Sequence, residues 1–499
     1  MRVTSCRFKS CSGHIFKSIA TLLMMTDKSK ESTIIILSAL LVFVIRLLSF
    51  FIYDVYDDAF ITFRYAYNLS SGNGLVYNIG ENILGTTSPL FAIILSLFFK
   101  IGLPMPDSAV ILNILLDTLT VFFISKILLN NNKIIELGVF LFIFSGSVLI
   151  SRITIGGMEV NLFLLMSVIT INLYLKEKKV LAVIICSIAY FIRPEALSLL
   201  LILFLNDIFT KQYKHAFFTV IISIATLSIP LIFMYQIYGN ILPQSVLSKS
   251  ELTGSSLIEL INMFFLRDPI SIITLPLALI GISRIHKTDP FLKLFGFWIL
   301  LLIVSYAIIR PHPWPWYSFV IRVGLALFSG VGFVYLLGYL EKFKKLFTFQ
   351  RIAIFSFIIA LFANLATAYT QGFKPVTKNI YYPLKNWAKS NKKINKTLIA
   401  DDIGIIGYLF KGRIIDTQGL ISSKFVKKEE RLNFFLSSKA DYLFLNSNQE
   451  NINLIFNTKL KDFYEPILRF SKSGNNKIIQ NADDYPQGWI QDYILLKKF

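Results

Sequence analysis

The chain has 499 residues, 55% of them hydrophobic, with 46 phenylalanines and a formal net charge of +20. That apolar content excludes an ordinary soluble domain and fits a polytopic membrane protein. The basic excess does not point to nucleic acid: Lys and Arg recur as short clusters between apolar runs, KEKK at 176–179, KQYKH at 211–215, RIHK at 284–287 and EKFKK at 341–345, the pattern of cytoplasmic turns under the positive-inside bias.

Residues 1–32 read as a cytoplasmic N-terminal tail, because their apolar patch IATLLMM is too short to span and no small-residue cleavage site follows it. Cys6, Cys11 and Cys186 match neither a zinc ribbon nor a disulfide framework. Apolar windows follow at 33–53, 87–103, 108–129, 134–151, 158–175, 180–192, 196–210, 216–235, 269–283, 291–309, 317–340 and 351–371. They predict an all-α membrane domain over 33–371 with about 11–13 spans. Placing the basic clusters inside puts five segments outside: the acidic, glycine-dotted loop 54–86, SRITIGGME at 151–159, RPE at 193–195, 238–256 and RPHPWPWY at 310–317. The windows 87–103 and 108–129 then supply only one net crossing, so either the first is re-entrant or the segments divide differently there.

From 372 the texture changes. An amphipathic helix, the strand TLIA, a glycine-rich turn, a second strand and the buried strand ADYLFLNSN predict an extracytoplasmic α/β domain over 372–499.

The outer loop opens with YDDAFITFRYAYNLSSGNG. Asp57 and Asp58 head a short helix with Phe60, Phe63 and Tyr67 on one side and Arg64 and Asn68 on another, an amphipathic helix expected on the membrane surface. A single Asp suffices to cap a helix. Two in succession point about 100° apart, so one can be held by backbone while the other faces a substrate hydroxyl as general base. The stretch that follows, with Gly72, Gly74, Asn78, Gly80, Glu81 and Gly85, is either a flexible loop or a tight one presenting groups suited to a sugar. Arg193 and Glu195 read as a pair at a helix end, and Glu159 as a cap or a cavity-lining carboxylate.

The run DDAFITFRYAYNLSSGNGLVYNIGENILGTTSPL resembles the first extracytoplasmic loop of GT-C membrane glycosyltransferases, in particular the branch of the mycobacterial terminal arabinofuranosyltransferases. Weaker similarity continues in GGME at 156–159, RPE, NILPQSVLSK at 240–249, ADDIGIIGY and RIIDTQGL. At 243–245 the chain has Pro-Gln-Ser where that branch tends to have Pro-Asn-Thr. The resemblance implies an inverting transferase that moves a sugar from a polyprenyl-phosphate donor to a cell-envelope glycan or glycolipid, with Asp57 and Asp58 as the catalytic element.

A polyprenyl-phosphate leaving group needs cations more than protonation, and Lys249, Arg310, His312 and Arg152 are the expected phosphate ligands. Sugar and acceptor contacts are expected from Arg64, Tyr67, Asn78, Glu81, Glu159 and Trp316, with the aromatic cluster around Trp316 equally readable as an interfacial belt. No His/Cys/Asp cluster has zinc-like spacing. Two carboxylates could hold a divalent cation against phosphate oxygens, but no tightly bound metal or other cofactor is expected. The rival readings are a flippase or transporter for lipid-linked glycans and an oligosaccharide ligase or polymerase.

Overall fold

The apolar runs form helices, and their lengths decide which of them can cross a bilayer. The computed structural model describes residues 27–251, 254–339, 346–391, 396–422, 426–474, 476 and 492–499. Most of the tail, with Cys6 and Cys11, and the whole EKFKK cluster lie outside the described residues. Among the described residues six helices have spanning length and hydropathy: Lys28–Phe50, Asp107–Asn130, Tyr213–Tyr238, Pro290–Ile309, Pro315–Leu337 and Phe349–Gln371. Two bent pairs, Ile134–Gly146 with Val148–Ile155 at 65° and Leu257–Leu266 with Ser271–Ile282 at 97°, raise the number to eight.

That is fewer than the 11–13 expected from hydropathy, and helix length is the reason. The windows at 87–103, 158–175, 180–192 and 196–210 are helices of 12, 16, 11 and 14 residues. At 1.5 Å per residue these measure about 17 to 24 Å, short of the roughly 30 Å hydrocarbon core. Within 87–129, Pro89–Lys100 is below spanning length and Asp107–Asn130 reaches it.

Charge is buried inside the helical domain. Arg46 donates from Nε to Asp117 Oδ2 at 2.8 Å and from its other nitrogens to Ser151 Oγ and the Phe144 carbonyl. Asp117 also accepts from Thr154 and Asn161. Both members of the pair are fully buried, and an ion pair in an apolar medium persists only when its donors and acceptors are provided for. The network ties Lys28–Phe50 and Asp107–Asn130 to Val148–Ile155.

The C-terminal region forms a five-stranded sheet from β1 (Thr397–Ala400), β2 (Arg413–Asp416), β3 (Tyr442–Asn446), β4 (Tyr464–Ser471) and β5 (Asp492–Lys498), in the order β2-β1-β3-β5-β4. β1 pairs in parallel with β2 and β3, and β5 runs antiparallel between β3 and β4. Side chains alternate faces along a strand, and the two faces have different partners. Ile399, Leu443, Leu445, Ile494 and Leu496 pack with Phe435, Ile452 and Ile455 in the domain's own core. Leu398, Ala400, Phe444 and Leu495, one residue out of phase, join the large core that continues into the membrane domain.

The helix Asp57–Ser70 is enclosed by this arrangement. Ala59 through Ala66 and Asn68 are all buried, so it is not the surface-lying amphipathic helix expected from its sequence. The face meant for water is covered by the C-terminal domain.

Candidate active site

The helix carrying the two aspartates is positioned by close backbone approach. The Tyr56 amide donates to the Gly156 carbonyl at 3.0 Å. A Cβ on Gly156 would collide with the Tyr56 ring, and Gly157 has φ +76°, a conformation that glycine alone adopts readily. The GGME turn thereby brings Glu159 and the start of the Asp57 helix to one place.

Asp57 caps a helix other than its own. The N-cap of Asp57–Ser70 is Tyr56, without a side-chain cap bond. The Asp57 carboxylate instead accepts the backbone N–H of Gly404 at 2.9 Å and of Ile405 at 2.8 Å, at the entry to the short helix Ile405–Leu409 that follows β1. Loss of water pushes the Asp57 carboxyl up to about 8; Asp402 and, more weakly, Asp58 add to the rise, while the Ile405 and Gly404 amides oppose it. Loss of water likewise pushes Asp402 up to about 6, against a hydrogen bond from the Tyr493 hydroxyl at 2.9 Å.

Asp58, next along the helix, lines a cleft of about 390 Å³. One wall carries Thr62 from the following turn and Thr86, whose hydroxyls lie 3.3 Å apart. Glu159, Arg193 and Glu195 line it as well. Arg193 donates to Glu159 at 2.7 Å and to Glu195 at 2.5 Å, and Glu195 also accepts the Tyr306 hydroxyl at 2.7 Å. The Arg193 guanidinium also lies over the Tyr317 ring, 5.3 Å from its centroid. The remaining walls are apolar, from Ile61, Met158, Leu197, Leu302 and Ile309, with Trp316 and Tyr317 beside them. A polar floor with an apolar flank can hold a molecule that is sugar at one end and hydrocarbon at the other.

Of the expected site residues, Asp58, Glu159 and Trp316 meet in this cleft. Arg310, at φ +50°, ends the helix Pro290–Ile309 between Ile309 and Pro311, which both line it. His312 stacks on Trp314 at 4.5 Å, and Trp314 on Trp316 at 5.2 Å, so the three rings form a ladder down to the cleft wall. Position 249 lies in the helix Gln244–Glu251, one turn after the cleft-lining Ser245; the Lys249 side chain lies outside what the structure describes.

The other expected residues point elsewhere. Arg64, expected at the sugar, is buried and donates to the carbonyls of Tyr77, Phe410 and Gly412 at 2.6, 3.1 and 2.9 Å, and also to that of Gly407. Asn78 pairs with the Ile414 backbone through both its amide atoms, at 2.8 and 3.0 Å. Glu81 binds Arg413 at 2.5 Å. Together the three dock the loop 54–86 onto β2 and its neighbours, because a long loop leaves backbone groups that need partners. Tyr67 packs edge-on against Phe99 and under Lys411. Arg152 lines a separate cavity with Tyr53 and Lys472.

Sequence reasoning missed the cleft role of Arg193 and Glu195. Their pairing is real, but Glu159 joins it and the trio faces the cavity. The common signal was that GGME and RPE both fall in loops expected on one side. Thr62, Thr86, Tyr306 and Tyr317 carried no local mark. Among the described residues no group of three or more His, Cys, Asp or Glu is placed to hold a metal ion.

A family model described as a domain of unknown function (DUF8728) matches residues 368–493. No curated protein matches the chain. In structure the chain is similar to ArnT from Cupriavidus metallidurans in the apo state, with a TM-score of 0.62 at 10% identity, covering 94% of this chain and 98% of that one. It is also similar to the same protein bound to undecaprenyl phosphate, with a TM-score of 0.61 at 9% identity and the same coverage of both chains. At such identity the likeness speaks for architecture alone: the chain has an ArnT-like, mostly helical fold with a small C-terminal sheet domain.

Proposed function

We propose that this chain is an inverting membrane glycosyltransferase that transfers a sugar from a polyprenyl-phosphate donor to a hydroxyl of an envelope glycan or glycolipid. The observation that carries the reading is Asp58 in a cleft with a polar floor and an apolar flank, in a fold whose similar structures include one bound to undecaprenyl phosphate. In this reading the tail lies in the cytoplasm, and the cleft and residues 372–499 face outward from the inner membrane.

Asp58 takes the proton from the acceptor hydroxyl as its oxygen attacks the anomeric carbon. The bond from that carbon to the phosphate oxygen breaks on the opposite face, and the polyprenyl phosphate leaves with the electron pair. The developing phosphate charge calls for cations, and this reading assigns that role to Arg310, His312 and Lys249, supported by the helix end at Ile309 beside the cleft and the stack of His312 on Trp314. Arg193 is already held between two carboxylates, which suits it to shaping the floor. Asp57 acts as a positioning residue that fixes the base's helix against the 404–405 turn. Trp316 offers an aromatic face to the sugar.

The test is transfer by the purified protein in liposomes, with a panel of labelled polyprenyl-phosphate sugars, lipid-linked oligosaccharides and envelope acceptors. Single-sugar transfer with inverted anomeric configuration is expected, and the active donor names the sugar, including whether it is arabinofuranose. Transfer of whole oligosaccharides would make the chain a ligase. Movement of lipid-linked sugar across the bilayer without transfer would make it a flippase.

A further inference from the structure

A second cavity, of about 360 Å³, opens where the membrane and C-terminal domains meet. The end of the first span contributes Tyr53 and Asp54, the helix Val148–Ile155 contributes Arg152, the end of Phe349–Gln371 contributes Thr367 and Gln371, and the turn after β4 contributes Lys472. Tyr56 borders this cavity and packs at 5.4 Å against Trp316, which lines the cleft. The two cavities are therefore neighbours on opposite sides of one aromatic pair.

Its polar groups are unusual in being mostly donors. Arg152 donates to Gln371 Oε1 at 3.1 Å, which leaves the rest of its guanidinium fork and the Gln371 amide nitrogen for other partners. The buried Tyr53 hydroxyl has Thr367 beside it and makes no hydrogen bond of good geometry among the described residues, a cost that native structures normally avoid. Neither Arg152 nor Lys472 makes an ion pair among the described residues. Each is close enough to feel the other: burial and then the charge of Arg152 pull the Lys472 ammonium below its usual value. The one carboxylate in the wall does not neutralise them by contact. Asp54 accepts from the Val376 and Thr377 amides at 3.0 and 2.8 Å and from the Thr377 hydroxyl at 2.8 Å, so its oxygens are committed to the helix start on which the C-terminal domain hangs.

Two cations held near each other, with unspent hydroxyl and amide donors around them, raise the energy of the empty site. An anion with several oxygens lowers it by taking all of these donors at once. We propose that this cavity is a second binding site, for a phosphoryl group, with Arg152 and Lys472 as its cationic ligands and Tyr53 and Gln371 as its neutral donors. Arg152 thus keeps the phosphate-binding role its sequence suggests, but in a different cavity from Asp58. The assignment rests on the cavity's own chemistry and holds whether or not the cleft transfers sugar.

The experiment follows thermal unfolding of the full chain in a maltoside micelle, which carries no phosphate. One arm titrates inorganic phosphate at constant ionic strength, and the other dopes the micelle with phosphatidic acid. Wild type, Asp58→Asn, Arg152→Met and Lys472→Met are compared. Saturable stabilisation of wild type and Asp58→Asn is expected in at least one arm, with each Met variant needing at least about tenfold more ligand, the weight of one charge-assisted hydrogen bond. Response to inorganic phosphate identifies a soluble phosphoryl ligand, and response to the lipid alone identifies a headgroup. Without ligand Lys472→Met should unfold no earlier than wild type, because it relieves like-charge repulsion. Absence of stabilisation in both arms overturns the site, as does equal response in the Met variants. A response lost in Asp58→Asn alone would place the anion in the cleft and refute the second site while leaving the first intact.

Discussion

The Asp57 carboxylate accepts the backbone N–H of Gly404 at 2.9 Å, across 347 residues of sequence, while its neighbour Asp58 lines the cleft. Adjacent carboxylates thus divide two tasks between them. One locks the C-terminal domain to the membrane domain, and the other faces the cavity.

The lock is sensitive to volume. A Cβ at Gly404 would overlap the Asp57 backbone and carboxylate, so Gly404→Ala must push the two apart. Asp57→Ala would leave the Gly404 and Ile405 amides without their acceptor, at a cost of roughly 2–3 kcal/mol. Both variants should lower the thermal midpoint and make the C-terminal domain easier to cleave by protease. A wild-type midpoint in both would show that the contact carries no weight.

Arg64 is the heavier anchor. Arg64→Met would strand the carbonyls of Tyr77, Phe410 and Gly412, and each buried group left unpaired costs about 1–3 kcal/mol. Loss of folded protein, or of attachment of the C-terminal domain, is the expected result on size exclusion and limited proteolysis. If Arg64 instead served the sugar, the variant would fold normally and lose only transfer.

Much of this architecture was legible in the chain, and the illegible parts share a cause. The spans, the strand TLIA and the buried run in ADYLFLNSN declared themselves through local apolar pattern, and each is a helix or strand. The doublet Asp57–Asp58 stood out by composition. Which of the two is held by backbone depends on amides at 404 and 405, and no local pattern carries that information. The same holds for Arg64 and Asn78, whose residue types suit a sugar as well as they suit the backbone of residues 407–414. Span number was overestimated because hydropathy windows report apolarity and not helix length. Arg46 and Asp117 were visible inside their windows, but their pairing is a tertiary fact.

Stability should fall as pH rises through neutrality. The carboxyls of Asp57, Asp416 and Asp402 are pushed up to about 8, 7 and 6 from 3.8, in each case chiefly by loss of water. The folded chain therefore keeps protons that the unfolded chain has released. Their stabilising contribution is complete below about pH 4 and is lost as pH rises to about 8. The thermal midpoint should decline over that window, and Asp57→Asn should flatten its upper part. An unchanged slope in the variant would remove Asp57 from the account.

Trp316 should act on binding more than on chemistry. A stacking contact contributes about 1 kcal/mol, so Trp316→Ala should raise the KM for the sugar donor roughly fivefold, with kcat changed less. A variant that loses kcat at unchanged KM would place Trp316 in the chemical step.

The most direct test of the central claim is the rate of sugar transfer by Asp58→Asn and Asp57→Asn, each in liposomes at matched folded content, against wild type. An amide cannot accept the hydroxyl proton, so Asp58→Asn should lose at least about 100-fold in kcat, the lower end of general-base contributions, while Asp57→Asn keeps measurable transfer with a lower thermal midpoint. Full activity in Asp58→Asn, or abolition in Asp57→Asn alone, would contradict the assignment of the base to the cleft-lining aspartate.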